Sequence, residues 1–425
     1  MQRSVPDRTS RTALSRRRVV ATGTALAAGA AAGVALGGTA RAATATTAPG
    51  AAAPVPPVRL TLPRPSGPYP LGTVALHLTD RSRRDPWLPS RPARELMAQV
   101  WYPARATGGA GGARPPLAPW MTARAAEVFQ RTGYLLPEFA TLPLTHARTG
   151  APADTRAGRQ PVLLYSHGHG QHRASSTALV EDLVSHGYVV VTIDHPYDAG
   201  QVEFPGGRVA AYGMPDFTGE DDDPVILKAV AVRVADTRFV LEELSRRVRS
   251  GRNSRDSSLP YGLGRILDLS RTGMFGHSLG GATAAQAMAS GVPIAAGADL
   301  DGSIFGPVLT SGLRKPFLLM SEDADSNPTW SAFWPRLRGW RRNLRLTGSR
   351  HFSYTDYETF LPQVAERLGA TPEQLAEVIG PLDGTRSIDI QRRYLRAFFD
   401  LHLRDRRAPL LEAPSPRYPE VRFIG

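Results

Sequence analysis

The chain has 425 residues, 42% of them hydrophobic and 21% charged, with 41 Gly, 37 Pro and no Cys. That composition suits a large buried core and excludes a fibre, a repeat array and any disulfide framework. The net charge is +13, but residues 1–42 carry seven Arg against one Asp, and no long basic run follows them. The surplus therefore reads as general solvation with weak attraction to anionic surfaces, and nucleic acid is not an expected partner.

Ser15-Arg16-Arg17-Arg18-Val19-Val20 precedes a run rich in Ala and Gly that ends in Ala40-Arg41-Ala42. Twin arginines, a weakly apolar stretch and small residues before the cut describe a twin-arginine export signal over residues 1–42. The run is too weakly apolar for a membrane span, and with no Cys there is no lipid tether, so a secreted product is expected. Residues 43–72 hold Pro54, Pro56, Pro57, Pro63, Pro65, Pro68 and Pro70, which disfavour regular structure and predict an extended linker. The folded domain is expected over 73–425.

From there, short apolar runs predict eight strands: 73–78, 96–102, 162–166, 189–193, 272–275, 294–300, 317–320 and 344–346. Helical patterns at 175–185, 225–249, 279–289 and 389–404 alternate with the later ones. Continuous apolar strands alternating with helices predict an α/β fold with a mostly parallel sheet covered on both faces. Two excursions, 104–160 and 196–222, are candidate lid or pocket walls, the second leaving the carboxyl end of a strand where α/β sites lie. Glu220-Asp221-Asp222-Asp223 could suggest calcium; without EF-hand spacing, it reads as acids complementing the helix that Asp223 caps.

The stretch Gly276-His277-Ser278-Leu279-Gly280 falls between a predicted strand and a predicted helix, which makes it a G-x-S-x-G nucleophile elbow. A serine hydroxyl needs an imidazole to take its proton and a carboxylate to orient that imidazole, and in elbow folds the acid and then the histidine follow in the chain. Only His351 and His402 follow Ser278. His402 lies inside an amphipathic helix and His351 in a loop just past the last strand, so His351 is the expected base. The acid stays open among Asp299 and Asp301 after the sixth strand and Glu322, Asp323 and Asp325 after the seventh. Leu279 supplies one oxyanion amide as the residue after the nucleophile, and the loop Ser166-His167-Gly168-His169-Gly170 supplies the second through His169 N–H. His167, His169 and His172 lack a nearby carboxylate or thiol, so no metal is expected there and no cofactor elsewhere.

Val100-Trp101-Tyr102-Pro103, Leu164 to Gly170, Leu183 to Val190, Gly276 to Thr283, Asp299-Leu300-Asp301-Gly302 and Gly348-Ser349-Arg350-His351 together resemble the platelet-activating-factor acetylhydrolase group of secreted α/β hydrolases, over about 96–403. The resemblance implies Asp301 as the acid and calcium-independent hydrolysis of short or oxidised acyl esters on phospholipid-like substrates. Two departures, His169 after the His-Gly pair and Gly302-Ser303 after the acid, bear on the acyl pocket. The expectation is a serine carboxylesterase with a triad of Ser278, Asp301 and His351, acting on a small-molecule or lipid ester with transient lipid-surface contact. A cutinase-like lipase or polyester hydrolase, a secreted acyltransferase and an inactive binding protein are the competing readings, and no oligomeric state follows from the residues.

Overall fold

Alternation of side chains across a strand feeds two separate cores. In the strand Gln160–Ser166, Leu163 and Tyr165 pack in one cluster while Val162 and Leu164 pack in the other, and Phe275 and Met274 divide in the same way. A strand buried on both faces has no use for polar alternation, which is why these runs read as continuous apolar stretches. The structure, a computed structural model, describes residues 56–424 except 107–113, 133–134, 219, 221–222, 252–258 and 323–326. The expected export signal lies outside the described residues.

Eleven strands join one sheet: β1 (Leu71–Asp80), β2 (Arg94–Pro103), β3 (Leu117–Pro119), β4 (Leu144–Thr149), β5 (Gln160–Ser166), β6 (Val189–Asp194), β7 (Leu267–His277), β8 (Ala296–Leu300), β9 (Phe317–Ser321), β10 (Arg341–Leu346) and β11 (Val421–Phe423). Their spatial order is β11-β10-β9-β8-β7-β5-β6-β2-β1-β4-β3. From β6 to β10 every neighbouring pair is parallel, whereas β2 meets β6, β1 meets β2 and β11 meets β10 antiparallel. The fold is thus α/β with a mixed sheet.

The expected count of eight strands is corrected to eleven. Each of the eight predicted runs falls on a strand of the sheet, the run 294–300 from Ala296 onward, and β3, β4 and β11 extend its edges. A strand covered on one face needs apolar residues on that face alone, and β4, Leu-Thr-His-Ala-Arg-Thr, buries only Thr145 and Ala147. The 104–160 excursion therefore supplies the edge strand β3, the strand β4 beside it and a helix, α1 (Ala123–Thr132). The body also begins before Thr73: Val58–Arg59 pairs with Ala140–Thr141, and Leu60 and Leu62 are buried in the core. Proline blocks ladder bonding at its own position but leaves its neighbours free to pair and pack, so a proline-rich stretch can lie against a core and still place two residues in a short ladder.

Helices α2 (Thr177–Ser185) and α6 (Gly384–Arg404) cover one face; α3 (Pro224–Gly251) and α4 (Leu279–Ala289) cover the other, with α5 (Tyr357–Leu368) beside α6. Asp223 accepts the Val225 N–H at 2.8 Å, which caps α3 as expected of a side-chain oxygen at that position. The parallel strands β5, β7, β8, β9 and β10 all end at one edge, so the loops after residues 166, 277, 300, 321 and 346 emerge together. Any chemistry shared between those loops is brought together by the parallel register alone.

Candidate active site

Ser278 stands between β7 and α4 with φ 54° and ψ −125°, a left-handed conformation that costs a side-chain-bearing residue energy and usually marks function. The turn closes because its neighbours lack side chains. A Cβ on Gly276 would sit 2.2 Å from the Gly280 carbonyl carbon, and one on Gly280 would sit 1.9 Å from the Ser166 carbonyl oxygen. From Thr272 to Ala285 every residue is buried except Ser278, which is partly exposed. The elbow lifts one hydroxyl out of a closed core.

The Ser278 N–H donates to Leu300 O at 3.0 Å, which ties the elbow to the end of β8. The next residue, Asp301, has φ 58°, and its N–H donates to Met320 O on β9 at 2.8 Å. Its carboxylate is spent in two directions: Oδ1 accepts the Glu322 N–H at 2.8 Å and Oδ2 accepts from His351 Nδ1 at 2.6 Å. His351 opens a short 3-10 turn after β10, and its carbonyl accepts from Nε2 of His277, the residue before Ser278, at 2.9 Å. The His277 and His351 rings lie 4.5 Å apart between centroids. Elbow, carboxylate and imidazole thus share one small volume. Among the described residues, neither the Ser278 hydroxyl nor His351 Nε2 has a hydrogen-bond partner.

The electrostatics separate the carboxyls. Burial, reinforced by the charge of Asp301, pushes Asp299 well above the carboxylate range, and its Oδ1 accepts the Gly302 N–H at 2.9 Å. Glu322 is pushed up to about 7, mostly by burial and then by Asp301. Burial alone would lower His351, but the hydrogen bond and charge of Asp301, with the charge of Glu322, outweigh it and raise the imidazole. Asp323 and Asp325 lie outside the described residues.

The loop after β5 runs against the elbow, close enough that a Cβ on Gly168 would stand 3.0 Å from His277 Nδ1. Among the described residues, neither the His169 nor the Leu279 N–H has an acceptor, and Leu279 is the first residue of α4, where helical geometry leaves amides unpaired. The three histidines of this region do separate jobs. His167 Nδ1 bonds Gly168 O at 2.6 Å; His169 Nε2 meets Tyr212 Oη at 2.9 Å with its ring edge-on to Phe217; His172 packs edge-on to Trp120 and Phe129. Tyr212 and Phe217 belong to the 196–222 excursion, which thereby touches the loop. Sequence reasoning missed His277 as a link between elbow and base, although its place inside the motif was the available signal. His402 packs between Trp340 and Phe398, away from these groups.

Comparisons with known proteins bear on this arrangement. A family described as platelet-activating factor acetylhydrolase, isoform II, matches residues 123–202. A probable 1-alkyl-2-acetylglycerophosphocholine esterase of Arthroderma benhamiae is 27% identical over 395 residues, covering 87% of this chain and 95% of that protein. The platelet-activating factor acetylhydrolase of Bos taurus is 24% identical over 279 residues, 61% of this chain and 59% of its own. Among solved structures, a ferulic acid esterase from Streptomyces cinnamoneus is similar with a TM-score of 0.69 and 34% identity, covering 86% of this chain and 99% of that one. With the α/β fold, these likenesses define a carboxylic-ester hydrolase. The family match and the two relatives support a platelet-activating-factor acetylhydrolase-like family for the chain.

Proposed function

We propose that the chain is an exported serine esterase that cleaves short-chain or phospholipid-like acyl esters through an acyl-enzyme. Ser278 Oγ attacks the acyl carbonyl while His351 Nε2 takes its proton. Asp301 holds His351 in the tautomer that leaves Nε2 free, and the His169 and Leu279 amides receive the charge that develops on the carbonyl oxygen. Collapse of the tetrahedral species returns the proton to the leaving alcohol, and water, activated by the same imidazole, releases the acid. The observation that carries this reading is the 2.6 Å contact of Asp301 and His351 beside an elbow whose serine alone is accessible. Export rests on the leading residues alone. Among the described residues no helix is long and apolar enough to cross a membrane.

A second reading concerns only the acyl group: the 34% identical structural neighbour is a ferulic acid esterase, which favours an aromatic acyl chain. Purified protein incubated with a fluorophosphonate should gain one adduct, mapped by peptide mass spectrometry to Ser278; an unlabelled protein, or a label elsewhere, overturns the nucleophile. A panel of a phospholipid with an sn-2 acetyl group, methyl ferulate, a long-chain triglyceride and a polyester film then separates the substrate classes by kcat/KM. Acyl transfer to an added alcohol in preference to water would identify a transferase.

The pH profile offers a second check. His351 must be neutral to accept a proton, so whatever raises its pKa moves the acidic limb of kcat/KM upward in pH. Glu322 is one of the raising charges, so Glu322→Gln should shift that limb to lower pH. A limb that stays in place would show that the base does not feel Glu322.

A further inference from the structure

Beneath the loop after β5, Arg233 of α3 is fully buried, and every N–H of its guanidinium is committed. Nε and Nη2 form a fork on the Asp198 carboxylate, both at 2.6 Å. Nη1 donates to Ser166 Oγ at 3.3 Å and to the His167 carbonyl, and Nη2 donates to the Gly168 carbonyl at 3.3 Å. Behind it, His195 bonds Ser166 Oγ through Nε2 and Asp236 Oδ2 through Nδ1, each at 3.0 Å, and Arg94 Nη2 holds that same carboxylate oxygen at 2.9 Å. Ser166, His195 and Asp236 form a second Ser-His-Asp chain, but with no exposed surface it cannot meet a substrate.

Stability is a poor explanation for so many interior charges, because apolar side chains of similar volume usually serve a core as well or better. What only a planar, forked cation can do is grip two successive backbone carbonyls and a carboxylate at fixed angles. The second of those carbonyls matters most. In a trans peptide the carbonyl and the following N–H point in opposite directions, so the orientation of Gly168 O decides that of His169 N–H. Gly168 O is held on three sides, by Arg233, by the His167 ring and by the Gln171 N–H at 3.2 Å. Asp198 adds a fourth tie, since its carbonyl accepts the Gly170 N–H at 3.2 Å. Released from these ties, the peptide could rotate and present a carbonyl where the oxyanion needs a donor.

We infer that Arg233, clamped by Asp198, is a positioning residue that holds the 168–169 peptide with its amide facing the nucleophile, so that the oxyanion site is formed before substrate arrives. The inference rests on the role proposed for Ser278 and the His169 amide. It acts on the transition state and leaves substrate binding alone, which sets the form of its test.

Arg233→Lys keeps a charge but loses the fork. On p-nitrophenyl acetate, with active sites counted by fluorophosphonate titration, its kcat per site should fall about a hundred-fold, the usual cost of a lost oxyanion donor. KM should stay within about three-fold, and an alkyl boronic acid, which mimics the tetrahedral adduct, should lose affinity by the same factor as kcat. Asp198→Asn, which keeps the shape and removes the clamping charge, should show the same pattern more weakly. It carries the test should the Arg233 variant fail to fold. A merely structural role would lower the melting temperature and leave kcat per titrated site and boronate affinity at parent values; that result in a folded variant overturns the inference. Absence of titratable sites in the parent protein would instead strike at Ser278 as nucleophile.

Discussion

Ser278→Ala should lower kcat for p-nitrophenyl acetate by roughly a million-fold, to the residual rate that binding and an oxyanion site supply without a nucleophile. The loss should be so large because the serine and the imidazole act as a unit: without Oγ, His351 has no proton to take, and Asp301 has no imidazolium to stabilise. The fold should not change. The substitution removes one partly exposed hydroxyl that has no hydrogen-bond partner among the described residues, and the Ser278 N–H bond to Leu300 O belongs to the backbone. The variant should melt at the parent temperature and fail to react with a fluorophosphonate. Retention of more than about one hundredth of the parent kcat in a variant free of parent enzyme is far above that residual rate and would remove Ser278 from the mechanism.

How much of this was legible before the fold was known follows from the range of each interaction. The elbow is local: Gly276, Ser278 and Gly280 lie within five residues, and the steric demand on Gly276 comes from Gly280 in that same turn, whereas the demand on Gly280 comes from Ser166. The parallel strands were legible because burial on both faces leaves a continuous apolar run. The outer strands were not, since Leu117–Pro119 and Val421–Phe423 have three residues each and Leu144–Thr149 buries only one face. Leu60 and Leu62 were hidden by the prolines around them, which remove ladder bonds at their own positions but do not say whether the residues between them pack. The carboxylates illustrate the limit best. Asp299, Asp301 and Glu322 are similar in sequence context, and only tertiary placement buries the first, pairs the second with His351 and sets the third within reach of the charges of both Asp301 and His351. Arg233 carried no local signal, because its partners Ser166, His167, Gly168 and Asp198 are 35 to 67 residues away in the chain.

Asp301→Asn should cost on the order of ten-thousand-fold in kcat near neutral pH, with little change in KM. The size follows from how the Asp301 carboxylate is spent. Both oxygens accept, Oδ1 from the Glu322 N–H and Oδ2 from His351 Nδ1. An asparagine has one acceptor oxygen and one donor nitrogen, so it can satisfy only one of these partners. If its oxygen stays with the backbone N–H, its NH2 group faces Nδ1 and forces the imidazole into the tautomer that carries its proton on Nε2, where it can no longer accept from Ser278. Asparagine tolerates the left-handed backbone at φ 58° nearly as well as aspartate, so the turn should survive and the loss should be chemical. The pH profile gives the sign of the electrostatic part. Asp301 is the chief cause that raises His351, and without it burial should dominate and lower the imidazole, so the acidic limb of the residual activity should move to lower pH. Activity within about ten-fold of the parent would place the orienting acid elsewhere, since the expected loss is on the order of a thousand times larger. Glu322 would then be the group to replace next, because its carboxyl is already felt by His351 and is half-charged near neutrality.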